Sequence, residues 1–157
     1  MPKIDITKAP RAKGSSYPKP YDEPCRGREG IRLGLAGGLT QFGVNTMTLP
    51  PGAWSSQRHW HEKEDEFVYV ISGELVLVED DGETMLKAGD CVAWKAGVHN
   101  GHHLINRSKH AASFLVVGTR DEGDWGEYPD IDLRFNPERY SGTRAGSVFS
   151  HKDGTPY

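Results

Sequence analysis

Residues 52–73 read GAWSSQRHWHEKEDEFVYVISG, and the rest of the chain can be read outward from them. His59 and His61 are two positions apart, which on a strand sets both side chains on one face about 6–7 Å apart, close enough to share an ion. Glu66 follows His61 by five residues, the wrong parity for one straight strand. The stretch Glu62-Lys63-Glu64-Asp65 can turn the chain, so Glu66 is expected to face the same interior from the next strand. Imidazoles with a carboxylate suit a borderline divalent ion such as Mn, Fe, Ni, Co or Zn. A His-x-His pair alone is common on surface strands. The glycine before it, the spaced glutamate and Gly73 after it make the pattern specific.

On either side of this stretch the chain alternates short apolar runs with glycine-centred turns. Gln41–Leu49 reads as a strand closed by Pro50-Pro51-Gly52, and Phe67–Ile71 as another. Leu75–Val78 and Thr84–Lys87 flank the hairpin signal Asp80-Asp81-Gly82. Cys91–Trp94 and Ser113–Val117 follow. The 19 glycines and 10 prolines among 157 residues exceed the roughly 12% of an average chain. Short strands at this spacing, with no convincing long helix, predict an all-β sandwich or barrel over residues 31–120. Residues 1–30 read as an N-terminal arm, either a flexible tail or a strand crossing to a second subunit. Residues 121–157, with scattered aromatics among Asp, Gly and Pro, read as an irregular C-terminal extension packed on the outside of the barrel.

Charge and composition remove several classes of function. Nineteen Lys and Arg against 22 Asp and Glu give a net charge of -3, so no basic field exists to condense on nucleic acid. No window approaches 18 apolar residues and the N-terminus lacks an apolar leader core, which predicts a cytoplasmic chain without a membrane segment. Two cysteines, Cys25 and Cys91, are too few for a disulfide framework or a thiolate zinc site.

With Gly52, His59, His61, Glu66 and Gly73 in place, the sequence resembles the cupin superfamily. The first motif of that family is a glycine, about five residues, His-x-His, three or four residues, Glu, six residues and a glycine. Here only the first gap departs, by one residue. The second motif corresponds to Gly89-Asp-Cys-Val-Ala-Trp-Lys95-Ala-Gly97-Val-His99-Asn-Gly-His102-His103-Leu-Ile-Asn106. Lys95 stands where the motif has proline, and two extra residues follow Gly97. The fourth ligand therefore lies among His99, His102 and His103. His102 keeps the His-x-x-x-Asn spacing to Asn106 and is preferred, with His103 then pointing to the exterior or to a subunit interface. The runs around Gly38–Asn45, Pro51–Ser56, Glu64–Val70 and Gly101–Ser108 look like a bacterial group of small cupins labelled sugar-phosphate isomerases.

The resemblance implies a double-stranded β-helix, a jelly-roll barrel, holding a divalent metal ion (Mn, Fe, Zn or Ni) through His59, His61, Glu66 and His102. It implies a homodimer and a small-molecule ligand or substrate, with no nucleic acid or membrane partner. Three imidazoles and one carboxylate leave open positions on an octahedral ion. An isomerase would use it to polarise a carbonyl while a base moves a proton between carbons. Candidates for catalytic side chains are His99, Gln57 and Tyr69. Arg58 or Lys95 would meet a substrate phosphate or carboxylate, or serve as solvated surface charges. An Fe(II)-dependent dioxygenase and a non-catalytic binding or sensor protein are the alternatives, because the family's fold hosts all three. Trp60 alternates with the ligands and is expected to pack away from the metal, whereas Trp54 and Trp94 suit either the core or the pocket wall.

Overall fold

The structure, a computed structural model, describes residues 3–140 and 147–157. Residues 1–2 of the expected arm and 141–146 of the expected extension lie outside the described residues. The described residues form twelve short strands: β1 (Arg11–Lys13), β2 (Glu29–Arg32), β3 (Phe42–Leu49), β4 (Glu66–Ser72), β5 (Glu74–Glu79), β6 (Gly82–Lys87), β7 (Cys91–Trp94), β8 (His103–Ile105), β9 (Ala112–Thr119), β10 (Gly126–Tyr128), β11 (Leu133–Phe135) and β12 (Phe149–Ser150). A single turn of helix, α1 (Leu33–Ala36), links β2 to β3.

Three antiparallel sheets result. One has the order β1-β2-β3-β9-β4-β7, the second β6-β5-β8 and the third β10-β11-β12. The first two face each other as the double-stranded β-helix, and period-2 alternation explains how. On β4, Val68 and Val70 are buried while Phe67, Tyr69 and Ile71 point outward. Leu49, Phe114 and Ala112 share the inner face with them, and Leu75, Leu77, Leu86 and Leu104 arrive from the second sheet to complete one apolar core. That core fills one end of the barrel and leaves the other end for polar side chains. The outward face of β3, β9, β4 and β7 exposes Phe42, Phe67 and Tyr69 and carries no charged side chain.

The segment before β4 is irregular. Between Trp54 and His61 it makes two isolated bridges, Trp54 to Ile105 and His59 to His102. Backbone bonds still hold it against β8: Ser55 N donates to Leu104 O at 2.8 Å, and His102 N to His59 O at 2.9 Å. Asn106 ties the far end of this pairing. Fully buried, its Nδ2 donates to Leu49 O (2.7 Å) and His110 O (2.8 Å), while its Oδ1 accepts from Ser108.

Both termini close on the same barrel. In the arm, β1 pairs with β2 of the same chain, Arg11 opposite Ile31 and Lys13 opposite Glu29. The extension packs against the barrel and the arm. Tyr128, Leu133, Phe135 and Phe149 bury one another with Tyr17 and Tyr21 from the arm, and this second apolar cluster caps the open end of the barrel. Aromatic rings placed on the outside would have stayed wet; between arm and barrel they lose that exposure.

Gly73 turns β4 into β5 at φ +76°, and a Cβ there would stand 2.9 Å from Ala112 Cα. Gly73→Ala therefore meets both a left-handed backbone and a backbone neighbour that cannot yield, and is expected to lower the unfolding free energy by about 2–4 kcal/mol. Urea denaturation of the two proteins measures it.

Candidate metal centre

His59 and His61 leave the irregular segment on one side of the open end, Glu66 opens β4, and His102 precedes β8 opposite His59. His59, His61 and Glu66 offer three ligand atoms all within 4.8 Å of one another. His61 Nε2 lies 3.8 Å and His102 Nε2 lies 3.2 Å from Glu66 Oε2. Donors about 2.1 Å from one ion stand about 3 Å apart at right angles and about 4.2 Å apart when opposite. His59, His61 and Glu66 fit that spacing, and His102 joins them through its approach to Glu66.

The tautomers fit it too. Each imidazole donates its Nδ1 hydrogen to an oxygen that can only accept: His59 to Gln57 O (3.0 Å), His102 to Asn100 O (3.2 Å) and His61 to Asp124 Oδ2 (2.7 Å). Every Nε2 then carries a lone pair, and His102 Nε2 and Glu66 Oε2 face each other as two acceptors. Acceptors at 3.2 Å repel unless a proton or a metal ion lies between them. Orientation is reinforced by rings. Trp94 stacks on His102 with centroids 3.8 Å apart and 6° between planes, its own Nε1 anchored on Glu79, and Tyr128 stacks on His59 at 5.7 Å.

Asp124 was not singled out from the sequence, because nothing local marks an aspartate in an irregular segment as a partner of a histidine 63 residues earlier. It is fully buried. Besides His61 it accepts Lys63 N at 2.8 Å, and Arg139 Nη2 bridges it to Glu64 at 2.7 Å on each side. Tyr140 also donates to Glu64. His61, Glu64 and Asp124 are near enough to one another to resemble a second ion site. The Arg139 guanidinium already supplies the positive charge there, so the trio works as a support for His61.

A cavity of about 540 Å³ opens over these side chains. The arm contributes Ser15, Tyr17 and Arg28 to its wall, and the extension Tyr128, Phe135 and Arg139. Burial pushes the Tyr17 phenol up to about 12 and raises that of Tyr128 well above its ordinary value, so both hydroxyls keep their hydrogens at neutral pH.

The expected catalytic side chains lie elsewhere. His99 is exposed, bonded to Glu62 Oε2 at 2.8 Å and stacked on Trp60 at 3.7 Å. Gln57 is buried, but its Nε2 donates to Tyr21 O outside the cavity. Tyr69 has outward parity on β4 and stands on the exposed sheet face. Arg58 is fixed by a bidentate bond to Asp130 and a contact with Asp80, which leaves no free fork for a substrate, and Lys95 is exposed outside the cavity. His103 is not exterior: it is buried, donates Nδ1 to Ser56 O at 2.9 Å and meets the edge of Trp54. Trp60 packs away from the four donors as expected, between His99 and Trp125.

Comparison with known proteins agrees with this geometry. Residues 45–118 match the cupin domain family. A crystal structure from Silicibacter pomeroyi DSS-3, described as a sugar phosphate isomerase from a cupin superfamily, is 46% identical, superposes with a TM-score of 0.88 and pairs 99% of this chain with 96% of its own. A structure from Acidithiobacillus ferrooxidans, named only provisionally as a sugar phosphate isomerase, is 26% identical over 88% of this chain and 85% of its own, with a TM-score of 0.74. The oxalate-binding protein of Thermotoga maritima is 35% identical over 71 residues, 45% of this chain; the chain spans 56% of the length of that curated relative.

The buried charges set a pH dependence. Burial, followed by the neighbouring rings of His61 and His102, holds His59 well below the ordinary imidazole value. Burial pushes the Glu66 carboxyl up, but in the metal-free chain at acid pH, where a proton on His102 Nε2 bridges to it, the hydrogen bond and charge of His102, then the charges of His59 and His61, outweigh it and hold the group at about 2. Both shifts weaken proton binding by the folded chain relative to the unfolded one. Stability of the metal-free protein is therefore expected to fall on acidification, first below about pH 6.5 through His59 and further below about pH 4.5 through Glu66. Urea unfolding at about pH 7 and about pH 5.5 should show the wild type losing up to about 1.4 kcal/mol per pH unit more than His59→Gln.

Proposed function

We propose that this chain, which belongs to the cupin superfamily, holds one divalent metal ion through His59, His61, Glu66 and His102 and uses it to isomerise a small polar metabolite of the sugar or sugar phosphate class. The observation that carries this reading is the convergence of three Nε2 lone pairs on one carboxylate at the floor of the cavity, each fixed by a bond at Nδ1. When bound, the ion supplies Lewis acidity toward a carbonyl oxygen.

The chain's own side chains prepare that step. Gln57 O, Asn100 O and Asp124 hold the three imidazoles in the tautomer that presents a lone pair inward. Trp94 and Tyr128 keep water from the ring faces and fix their planes. The Tyr17 hydroxyl keeps its hydrogen and can serve as a donor to a substrate oxygen. His59, His61, Glu66 and His102 would hold the ion, which would supply Lewis acidity to a substrate with adjacent carbonyl and hydroxyl groups.

Isomerisation is favoured by the likeness to the Silicibacter pomeroyi protein along nearly the whole of both chains. A binding protein without turnover is the second reading, favoured by the match to the Thermotoga maritima protein. Exchange of a carbon-bound hydrogen separates them. Incubated in deuterium oxide with pentose and hexose phosphates, the metal-loaded protein is expected to place deuterium on the carbon beside the carbonyl, and Glu66→Ala to abolish this. Unchanged proton spectra for every substrate with the ion bound would contradict the isomerase reading and leave the binding one.

A further inference from the structure

The cavity has a second polar wall, supplied by the arm. Arg28 is half-buried there. Its Nε donates to Gly14 O at 2.8 Å and its Nη1 to Ser55 O, both neutral acceptors. Among the described residues no carboxylate forms an ion pair with it. Two other partly buried arginines carry counter-charges: Arg58 is paired with Asp80 and Asp130, and Arg139 with Glu64 and Asp124. A guanidinium withdrawn from water without a counter-charge is costly, and the cost is recovered when an anion arrives. The two carbonyl bonds hold the fork rigidly, with Nη2 left over.

Two further groups stand on the same wall. Ser15 Oγ is buried and has no hydrogen-bond partner, although it faces the cavity. Tyr17 also lines it, edge-on to Tyr128 at 5.4 Å, and Tyr128 in turn stacks on His59. Two ring contacts therefore link this wall to His59. Arg32 and Arg120 also line the cavity and add positive potential to it.

We propose that Arg28, with Ser15 and Tyr17 beside it, forms an anion subsite that takes the phosphate or carboxylate end of the ligand whose other end meets His59, His61, Glu66 and His102. The assignment of the other end rests on the metal reading above; the subsite itself rests on the unpaired guanidinium and the unpartnered hydroxyl. Arginine forks suit both oxyanions, so the two sources have to be separated by experiment.

Isothermal titration of the full-length protein, metal-free and metal-loaded, with inorganic phosphate and separately with acetate at constant ionic strength tests this, with metal content measured alongside. The metal-free wild type is expected to bind one anion per chain. Arg28→Gln should weaken it at least tenfold, and Ser15→Ala and Tyr17→Phe several-fold each. Arg107→Gln, which removes an exposed arginine paired with Glu83, should leave binding unchanged. Because Arg28→Gln also releases two carbonyls, Ser15→Ala and Tyr17→Phe provide the reading if that variant fails to fold. Tighter phosphate binding identifies a phosphate ester as the ligand class, and tighter acetate binding a carboxylate. Anion binding in a chain that takes up no metal would sustain the subsite while removing the metal reading. Metal uptake with no anion binding, or equal binding by all the arm variants, would overturn the subsite alone.

Discussion

Each imidazole that faces Glu66 gives its Nδ1 hydrogen to a fixed oxygen, and the rest of the molecule is arranged so that those three oxygens stay in place. Gln57 O and Asn100 O belong to the two chain segments that pair across the open end of the barrel, so the antiparallel contact between His59 and His102 sets both rings at once. Asp124 requires more. It is buried without cost only because Lys63 N, His61 and Arg139 satisfy its oxygens, and Arg139 in turn needs Glu64. The apolar cluster of Tyr128, Leu133, Phe135 and Phe149 docks the extension that brings Asp124 and Arg139 there.

This dependence explains which parts of the site were legible in the sequence. His59 and His61 follow from a strand period of two, and Glu66 from the turn that resets parity before β4. His102 follows from its spacing to Asn106, whose reason is structural: the amide clamps the carbonyls of Leu49 and His110 and so fixes the loop after β8. Asp124, Tyr128 and Arg28 were not legible as site residues. They come from an irregular extension and a short arm, where no periodicity links a residue to a partner tens of positions away. His99, Gln57 and Tyr69, also candidates from the sequence, are held outside the cavity by Glu62, Tyr21 O and outward strand parity respectively. The fold itself was readable because the core strands obey their alternation, whereas the arm's three-residue strand was too short to declare which chain it would join.

The cavity that results has two chemically distinct ends. One gathers lone pairs, suited to a cation; the other holds a guanidinium whose fork is only half used. A metabolite with a carbonyl or hydroxyl at one end and an oxyanion at the other is complementary to both. Among the described residues no helix is long and apolar enough to cross a membrane. The likeness to structures described as sugar phosphate isomerases accords with such a ligand.

The most direct test of the central claim is the metal content of the purified, chelator-treated chain after incubation with Mn, Fe, Zn and Ni in turn. The account predicts about one equivalent of a divalent ion per chain, less than about a tenth in His59→Ala, Glu66→Ala and His102→Ala, and full occupancy in His99→Ala and His103→Ala. A wild type that stays below a tenth of an equivalent with every ion, or full occupancy in both His59→Ala and Glu66→Ala, would contradict it.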